Sequence, residues 1–241
     1  MTDKRIFFTR HAQAEHNVAE DYSILDAPLT ELGREQSANL CKETQDGFQR
    51  DADLLVSSPL RRPMQTFIIG YAPLRERLEK EGKPVVILPE LQECNDLPCD
   101  TGSDRATLEA DPEFAGLDLS SLDPSPVPAH WGTFPSTVSA GKEWTSKQGL
   151  FSVDNVLERA KWVRRWIRSR PEKRIVVVAH GDILRAITDG YRSATPWANA
   201  EVREYTFQSA DDDDAAVVPV KEVAKEGEQE PTSTDLAQGR A

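Results

Sequence analysis

The sequence predicts an α/β fold built on a mainly parallel central sheet with helices on both faces. Two stretches carry that reading: Ile6-Phe7-Phe8-Thr9-Arg10-His11 and Ile175-Val176-Val177-Val178-Ala179-His180. Each is a short apolar run that delivers a histidine at its C-terminal end, and the second continues into Gly181 and a helical pattern. Runs this apolar fit strands buried on both faces, as in parallel sheets. In open α/β sheets ligands gather at the C-terminal strand ends, so two histidines far apart in sequence can converge there.

The elements follow in order. Lys4 to Thr9 reads as the first strand, and residues 11 to 21 as a polar loop or helical turn. Thr30 has the chemistry of an N-cap, its hydroxyl able to accept a backbone N–H at a helix start. Leu32, Gln36, Leu40 and Cys41 suggest a helical stripe to about Phe48. Asp53 to Ser57 is the second strand, followed by a helix from about Leu60 to Ala72 with Pro63 in its first turn, where a missing N–H costs little. A charged helical connector runs from Pro73 to Lys83, and Val85 to Leu88 is the third strand.

Residues 94 to 150 differ, being rich in Pro, Ser, Asp and Gly with little periodicity, as expected of a lid or binding insertion. Within them a helix is expected over Ser103 to Ala110, with Ser103 as its cap. Val153, Val156, Leu157, Ala160, Val163, Trp166 and Ile167 then form an amphipathic stripe. Trp162 and Trp166 read as packing residues. Arg174 to Ala179 is the fourth strand, Asp182 to about Tyr191 a helix, and Val202 to Phe207 an edge strand.

Composition narrows the function. The chain has 241 residues, 38% hydrophobic and 29% charged, enough for one substantial core. No apolar run approaches the ~18 residues of a membrane span, and Met1 to Arg5 leads straight into a short strand, unlike a secretory signal. Cys41, Cys94 and Cys99 show no disulfide framework or zinc spacing, although Cys94 and Cys99 could in principle bridge. The expectation is a reducing compartment, the cytoplasm, with the nucleus also open. A net charge of −12 argues against nucleic acid as a partner. Residues 210–241 are acidic, with Asp211 to Asp214 at their start, and lack the apolar surface to offset ordering entropy. They read as a disordered tail beyond a domain of residues 1–209, a docking segment being the rival reading.

Five elements in order resemble the histidine phosphatase superfamily, the phosphoglycerate-mutase-like proteins, over roughly residues 5 to 190. Arg10-His11-Ala12 is similar to its Arg-His-Gly motif, with Ala12 in place of glycine, and His180-Gly181 to its late His-Gly motif. Ser58-Pro59-Leu60-Arg61-Arg62-Pro63-Met64-Gln65-Thr66 resembles Ser-Pro-Leu-x-Arg-Ala-x-x-Thr, Leu91-Gln92-Glu93 its Leu-x-Glu, and Leu29 to Gln36 its Leu-Thr-x-x-Gly-x-x-Gln helix start. The resemblance, nearest to eukaryotic members of yeast and fungal type, implies a three-layer α/β/α sandwich with residues 94–150 as an irregular cap insertion.

It also implies a chemistry. His11 is the expected nucleophile, since a neutral imidazole with one nitrogen held as N–H can attack phosphorus with the other. Arg10 and Arg62 supply planar, permanently charged forks for phosphate oxygens, and His180 a further donor beside a helix N-terminus. Glu93 is the expected general acid, which needs a raised pKa; Glu90 is its rival, read as a solvated strand end. Asn17, Gly181, His130 and Trp131 are the substrate-binding candidates, and Asp100 is considered as a second carboxylate. His16 reads as packing or orientation, and Trp144 as an anchor between loop and core. No metal-ligand cluster or nucleotide-binding loop is present in the pattern, so neither a metal nor a cofactor is expected.

The expected function is a metal-independent phosphomonoester hydrolase acting on a small phosphorylated metabolite, with no membrane or nucleic-acid partner. The alternatives are a phosphoglycerate-type phosphomutase and a catalytically silent phospho-ligand-binding protein of the same fold. Ala14-Glu15-His16-Asn17 departs from the Ser-x-Trp-Asn run usual in the mutases. Ala12 would crowd a phosphate if its position required positive φ. Oligomeric state is left open.

Overall fold

A computed structural model describes residues 2–122, 144–190 and 196–220. Its core is a six-stranded sheet in the order β3-β2-β4-β1-β5-β6: β1 is Arg5–Arg10, β2 Leu54–Ser57, β3 Val86–Ile87, β4 Arg174–Ala179, β5 Val202–Phe207 and β6 Val217–Pro219. β1, β2, β3 and β4 pair in parallel, whereas β5 pairs antiparallel with β1 and β6 antiparallel with β5. The sheet is therefore mixed and mainly parallel, as expected.

Strand alternation sorts the core into two layers, because successive side chains point to opposite faces. Ile6 and Phe8 of β1, Leu54 and Val56 of β2, and Ile175 and Val177 of β4 bury one face against α6 (Val156–Ser169) and α7 (Gly181–Thr188). Phe7, Leu55, Val176 and Val178 bury the other, where Leu40 of α2 (Glu31–Thr44), Met64 and Phe67 of α3 (Arg61–Gly70) and Leu74 and Leu78 of α4 (Ala72–Lys80) meet them. Three layers result, with the sheet in the middle.

Several local expectations are corrected. β5 is not an edge strand: β6, formed from residues assigned to the tail, covers it through Tyr205↔Pro219, Thr206↔Val218 and Phe207↔Val217. The ordered fold thus runs past residue 210. The acidic run is held on α6, where Arg164 Nε donates to the Asp214 carbonyl at 3.0 Å, Arg165 Nε to the Asp213 carbonyl at 2.7 Å and Lys161 pairs with the Asp214 carboxylate. Residues 221–241 of the expected tail lie outside the described residues.

The helix expected over Leu60 to Ala72 is α3, and the helical connector expected over Pro73 to Lys83 is α4, the two being separated at Tyr71. Thr30 does cap α2, its Oγ1 accepting Gly33 N–H at 3.0 Å. Leu32, however, is 48% exposed, and Gly33, Ser37 and Leu40 face inward instead. Gly33 lies so close to the loop after β1 that a Cβ there would stand 2.0 Å from the Gln13 carbonyl oxygen, which fixes the rotation of the helix. Val153 and Leu157 are likewise exposed, while Val156, Ala160, Val163 and Ile167 form the buried stripe.

Between β3 and α6 the described residues are short turns and one helix, α5 (Arg105–Glu109). Asp104 rather than Ser103 caps it, accepting Thr107 N–H at 2.8 Å, because the Ser103 hydroxyl is engaged with Asp26 at 2.7 Å. Leu108, Phe114, Leu119, Leu122 and Trp144 join the core, so this segment is packed rather than loose. Trp144 covers Gly102, whose added Cβ would meet the indole at 1.8 Å.

Candidate active site

The parallel pairing of β1 with β4, in register from Arg5↔Arg174 to Arg10↔Ala179, carries both histidines to one sheet end. The His11 and His180 rings stand 5.1 Å apart between centroids, edge to face. His11 follows β1 directly, and its backbone N–H donates to the Ala179 carbonyl at 2.9 Å. His180 occupies the cap position of α7, and Gly181 opens that helix.

The His11 tautomer follows from its contacts. Nδ1 lies 2.7 Å from the Ala12 carbonyl oxygen, which can only accept, so the proton is on Nδ1 and the Nε2 lone pair faces outward. Arg62 Nε donates to that lone pair at 3.1 Å. The rest of the Arg62 fork is held by the Cys99 carbonyl and by Asp100 Oδ1, the latter at 3.0 Å in a pair buried on both sides. Asp100 thereby fixes a guanidinium and does not stand free as a second carboxylate. Burial pushes the His11 pKa well down, helped by the Arg62 and Arg10 charges. The imidazole is neutral.

Arg10 is buried and donates through Nη1 to the Trp197 carbonyl in the segment before β5. His180 is fully buried, its pKa also driven well down by burial and then by Arg62. Ser58 Oγ, 3.5 Å from the N–H of Leu60, lies 2.8 Å from His180 Nε2. The hydroxyl can donate to the ring or accept from it, so this contact ties His180 to the Ser58 loop with either ring tautomer.

Glu93 is buried against the start of α7. Its Oε1 accepts from Cys94 N–H at 3.0 Å and Ile183 N–H at 3.1 Å, and Oε2 from Asp182 N–H at 3.3 Å. Burial, then the charges of Asp182 and Asp100, push its pKa up to about 8, against the pull of Arg62 and the backbone N–H groups. Glu90 is not a solvated strand end: it is buried, and burial raises its pKa to about 7. The charge that bears on it belongs to Arg159, whereas Arg62 and Asp100 bear on Glu93. Glu93 is therefore the carboxyl on which Arg62, the arginine at His11, acts, and it sits on the start of α7 behind His180.

Asn17 sits on the short helix α1 (Glu15–Val18), with Oδ1 accepting from Ala14 N–H at 3.0 Å and Nδ2 directed at His16 Nε2 at 3.2 Å. Its amide orients His16. Ala12 is fully buried and is absent from the residues with positive φ, and its N–H donates to Thr66 Oγ1 at 3.0 Å. The methyl group is accommodated without backbone strain, so the concern over the missing glycine does not apply. His130 and Trp131 lie outside the described residues.

Sequence reading missed Lys147. It is buried, its Nζ donates to the Glu93 carbonyl at 2.8 Å, and burial lowers its pKa to about 8. A lone lysine in an aperiodic segment gives no pattern to find. Ser58 and the Trp197 carbonyl were equally invisible, the first as a plain motif residue and the second as backbone. Among the described residues no group of three or more His, Cys, Asp or Glu could hold a metal ion, and no helix is long and apolar enough to cross a membrane. Cys94 and Cys99 are both free thiols.

Comparison with known proteins places this geometry among relatives. The sequence profile of the histidine phosphatase superfamily (branch 1) matches residues 6–208. A probable phosphatase of Schizosaccharomyces pombe is 30% identical over 187 residues, covering 76% of each chain. A glucosyl-3-phosphoglycerate phosphatase of Mycolicibacterium vanbaalenii is 27% identical over 190 residues, covering 78% of this chain and 74% of that one. The solved structure of a putative alpha-ribazole-5'-P phosphatase from Escherichia coli shares the fold at a TM-score of 0.53 and 18% identity, over 90% of this chain and 94% of that one.

Proposed function

Because the chain belongs to branch 1 of the histidine phosphatase superfamily, we propose that it is a metal-independent phosphomonoester hydrolase working through a phosphohistidine on His11. The observation that carries this reading is the His11 tautomer: Nδ1–H is held on the Ala12 carbonyl, and Nε2 presents its lone pair beside the Arg62 fork. In the first step Nε2 attacks phosphorus in line, the bond to the ester oxygen breaks, and Glu93 gives its proton to the departing alkoxide. Arg10 and Arg62 neutralise the charge on the equatorial oxygens, with the His180 ring beside them. In the second step Glu93 takes a proton from water as its oxygen attacks phosphorus, the P–N bond breaks, and inorganic phosphate leaves.

The substrate class is a small phosphorylated metabolite, handled in the cytoplasm by a member of yeast and fungal type. Phosphatases among its relatives, including one from Schizosaccharomyces pombe, support that choice. The test is phosphate release across a panel of phosphorylated metabolites, with wild type beside His11→Ala. Release from one or a few compounds, reduced by more than a thousandfold in the variant and indifferent to chelator, is the expected result. Residual turnover within tenfold of wild type would remove His11 as nucleophile. Isomerisation of a phosphoglycerate without net release would make the protein a mutase.

A further inference from the structure

His16 has no role in the chemistry described above, yet its position is unusual. The ring is 4% exposed and lies 6.1 Å from the His11 ring, centroid to centroid. Its protonation state can be worked out from its neighbours. Ala14 N–H must be met by an acceptor, which fixes Asn17 Oδ1 on that side and Nδ2 on the side of His16. An amide N–H facing His16 Nε2 requires a lone pair there, so a neutral ring carries its proton on Nδ1. Burial and the Arg62 and Arg10 charges keep the ring neutral.

That Nδ1 is buried without a hydrogen-bond partner among the described residues, and so is Nδ1 of His180 on the other ring beside His11. A buried N–H left unpaired costs about 1–3 kcal/mol, and a packed interior seldom retains such a group without a use for it. An orphaned imidazole donor beside the nucleophilic imidazole is matched by an acceptor that the free protein lacks. The Arg62 and Arg10 guanidiniums, whose charges act on both the His11 and His16 rings, make that acceptor an anion.

We propose that His16 is a substrate-contacting residue, its Nδ1–H donating to an oxygen of the phosphoryl group seated on His11. Asn17 then acts through His16 as a positioning residue, holding the tautomer that makes the donation possible. A neutral donor adds a directed hydrogen bond without adding charge, complementing the guanidiniums, which supply charge. The inference rests on the reading of this site as a phosphoryl-transfer centre.

The probe is orthovanadate, a phosphoryl mimic whose affinity is measured directly, alongside kcat/KM for a hydrolysed ester. His16→Phe keeps a ring and deletes the donor; His16→Asn returns an N–H at the Nδ1 position. His16→Phe is expected to bind orthovanadate about 10- to 100-fold more weakly, the worth of a hydrogen bond to a charged group. His16→Asn is expected to recover most of that loss, although both variants forfeit the bond to Asn17 and should melt alike. A second measurement needs no variant: the His16 Nδ1–H resonance in ¹⁵N-labelled protein should shift on saturation with orthovanadate. Wild-type affinity in His16→Phe, equal losses in the two variants, or an unmoved resonance would each overturn the proposal. A wild type that hydrolyses esters while His16→Phe binds normally would defeat this inference alone. A wild type that hydrolyses none, yet binds orthovanadate in a His16-dependent way, would defeat the hydrolase reading and keep the contact.

Discussion

Arg62 Nε donates to His11 Nε2 across 3.1 Å, so the arginine rests on the lone pair that the proposed reaction would turn on phosphorus. Under the proposed mechanism the nucleophile is thus capped, in the free protein, by the group that would hold the phosphoryl oxygens. On that proposal binding would exchange the partner, an equatorial oxygen taking the Arg62 Nε–H as phosphorus approaches Nε2. The remaining fork stays on the Cys99 carbonyl and Asp100, which leaves the arginine pre-positioned.

Arg62→Lys tests this relationship. A lysine keeps the charge and loses the planar fork, so it cannot meet Cys99, Asp100 and a phosphoryl oxygen together. The expected loss in kcat/KM is about 10²- to 10³-fold, the usual cost of removing an aligned transition-state donor. Steady-state kinetics on any hydrolysed ester reads it, and a loss under threefold would place Arg62 outside the reaction.

Glu93 predicts the basic limb of the pH profile. A carboxyl that must be protonated to serve the leaving group works below its pKa, and burial beside Asp182 and Asp100 sets that near 8. The kcat/KM profile, which reports the free enzyme, should fall above about pH 8. Glu93→Gln should cost about 10²- to 10⁴-fold and abolish the limb. Glu90→Gln should leave the limb where it is, since Glu90 answers to Arg159 instead. A limb that moves with Glu90 and not with Glu93 would exchange their roles.

The buried histidines predict acid sensitivity. His11, His16 and His180 have folded-state pKa values below the ordinary 6.5. Their contribution to stability is therefore full above the unfolded value and lost as pH falls below about 6.5, where the unfolded chain binds the protons. Each contributes up to about 1.4 kcal/mol per pH unit in that range. Replacing His16 with Phe should accordingly flatten the fall in urea-unfolding free energy between pH 6.5 and 5.5 by about that amount. An unchanged slope would mean that His16 titrates normally in the folded protein.

How much of this was legible in the sequence depends on the kind of signal. β4 ran from Arg174 to Ala179 as expected, because a buried parallel strand is a continuous apolar run. The pairing of His11 with His180 was legible because strand ends and motif spacing both pointed to it. The positions that failed were settled by contacts across the fold. Leu32 turned outward because Gly33 had to approach Gln13, and Ser103 lost its cap to Asp104 because Asp26 had claimed its hydroxyl. Lys147 and the His16 tautomer depend on partners distant in sequence or on a single amide orientation, which no pattern of residue types records. The acidic run misled for a related reason: its composition resembled that of a solvated tail, while the basic face of α6 that receives it lies some fifty residues earlier.

That last correction gives a prediction with a different readout. β6 covers the outer edge of β5, Ala215 and Val217 bury their side chains, and the Asp212–Asp214 backbone is tied to Arg168, Arg165 and Arg164 of α6. A chain ending at Ser209 loses all of these and exposes Tyr205 and Phe207 on a bare strand edge. Burial of two small apolar side chains and cover for two aromatics amounts to about 2–4 kcal/mol. The urea midpoint of the 1–209 chain should fall accordingly, and the unpaired edge should make it prone to self-association. A chain ending at Val220 should unfold like the full sequence, and phosphate release at 25 °C should persist in both, because the histidines follow directly on β1 and β4, which both chains keep. Equal midpoints for the 1–209 and 1–220 chains would show that β6 adds nothing to the fold and return residues 210–220 to the tail.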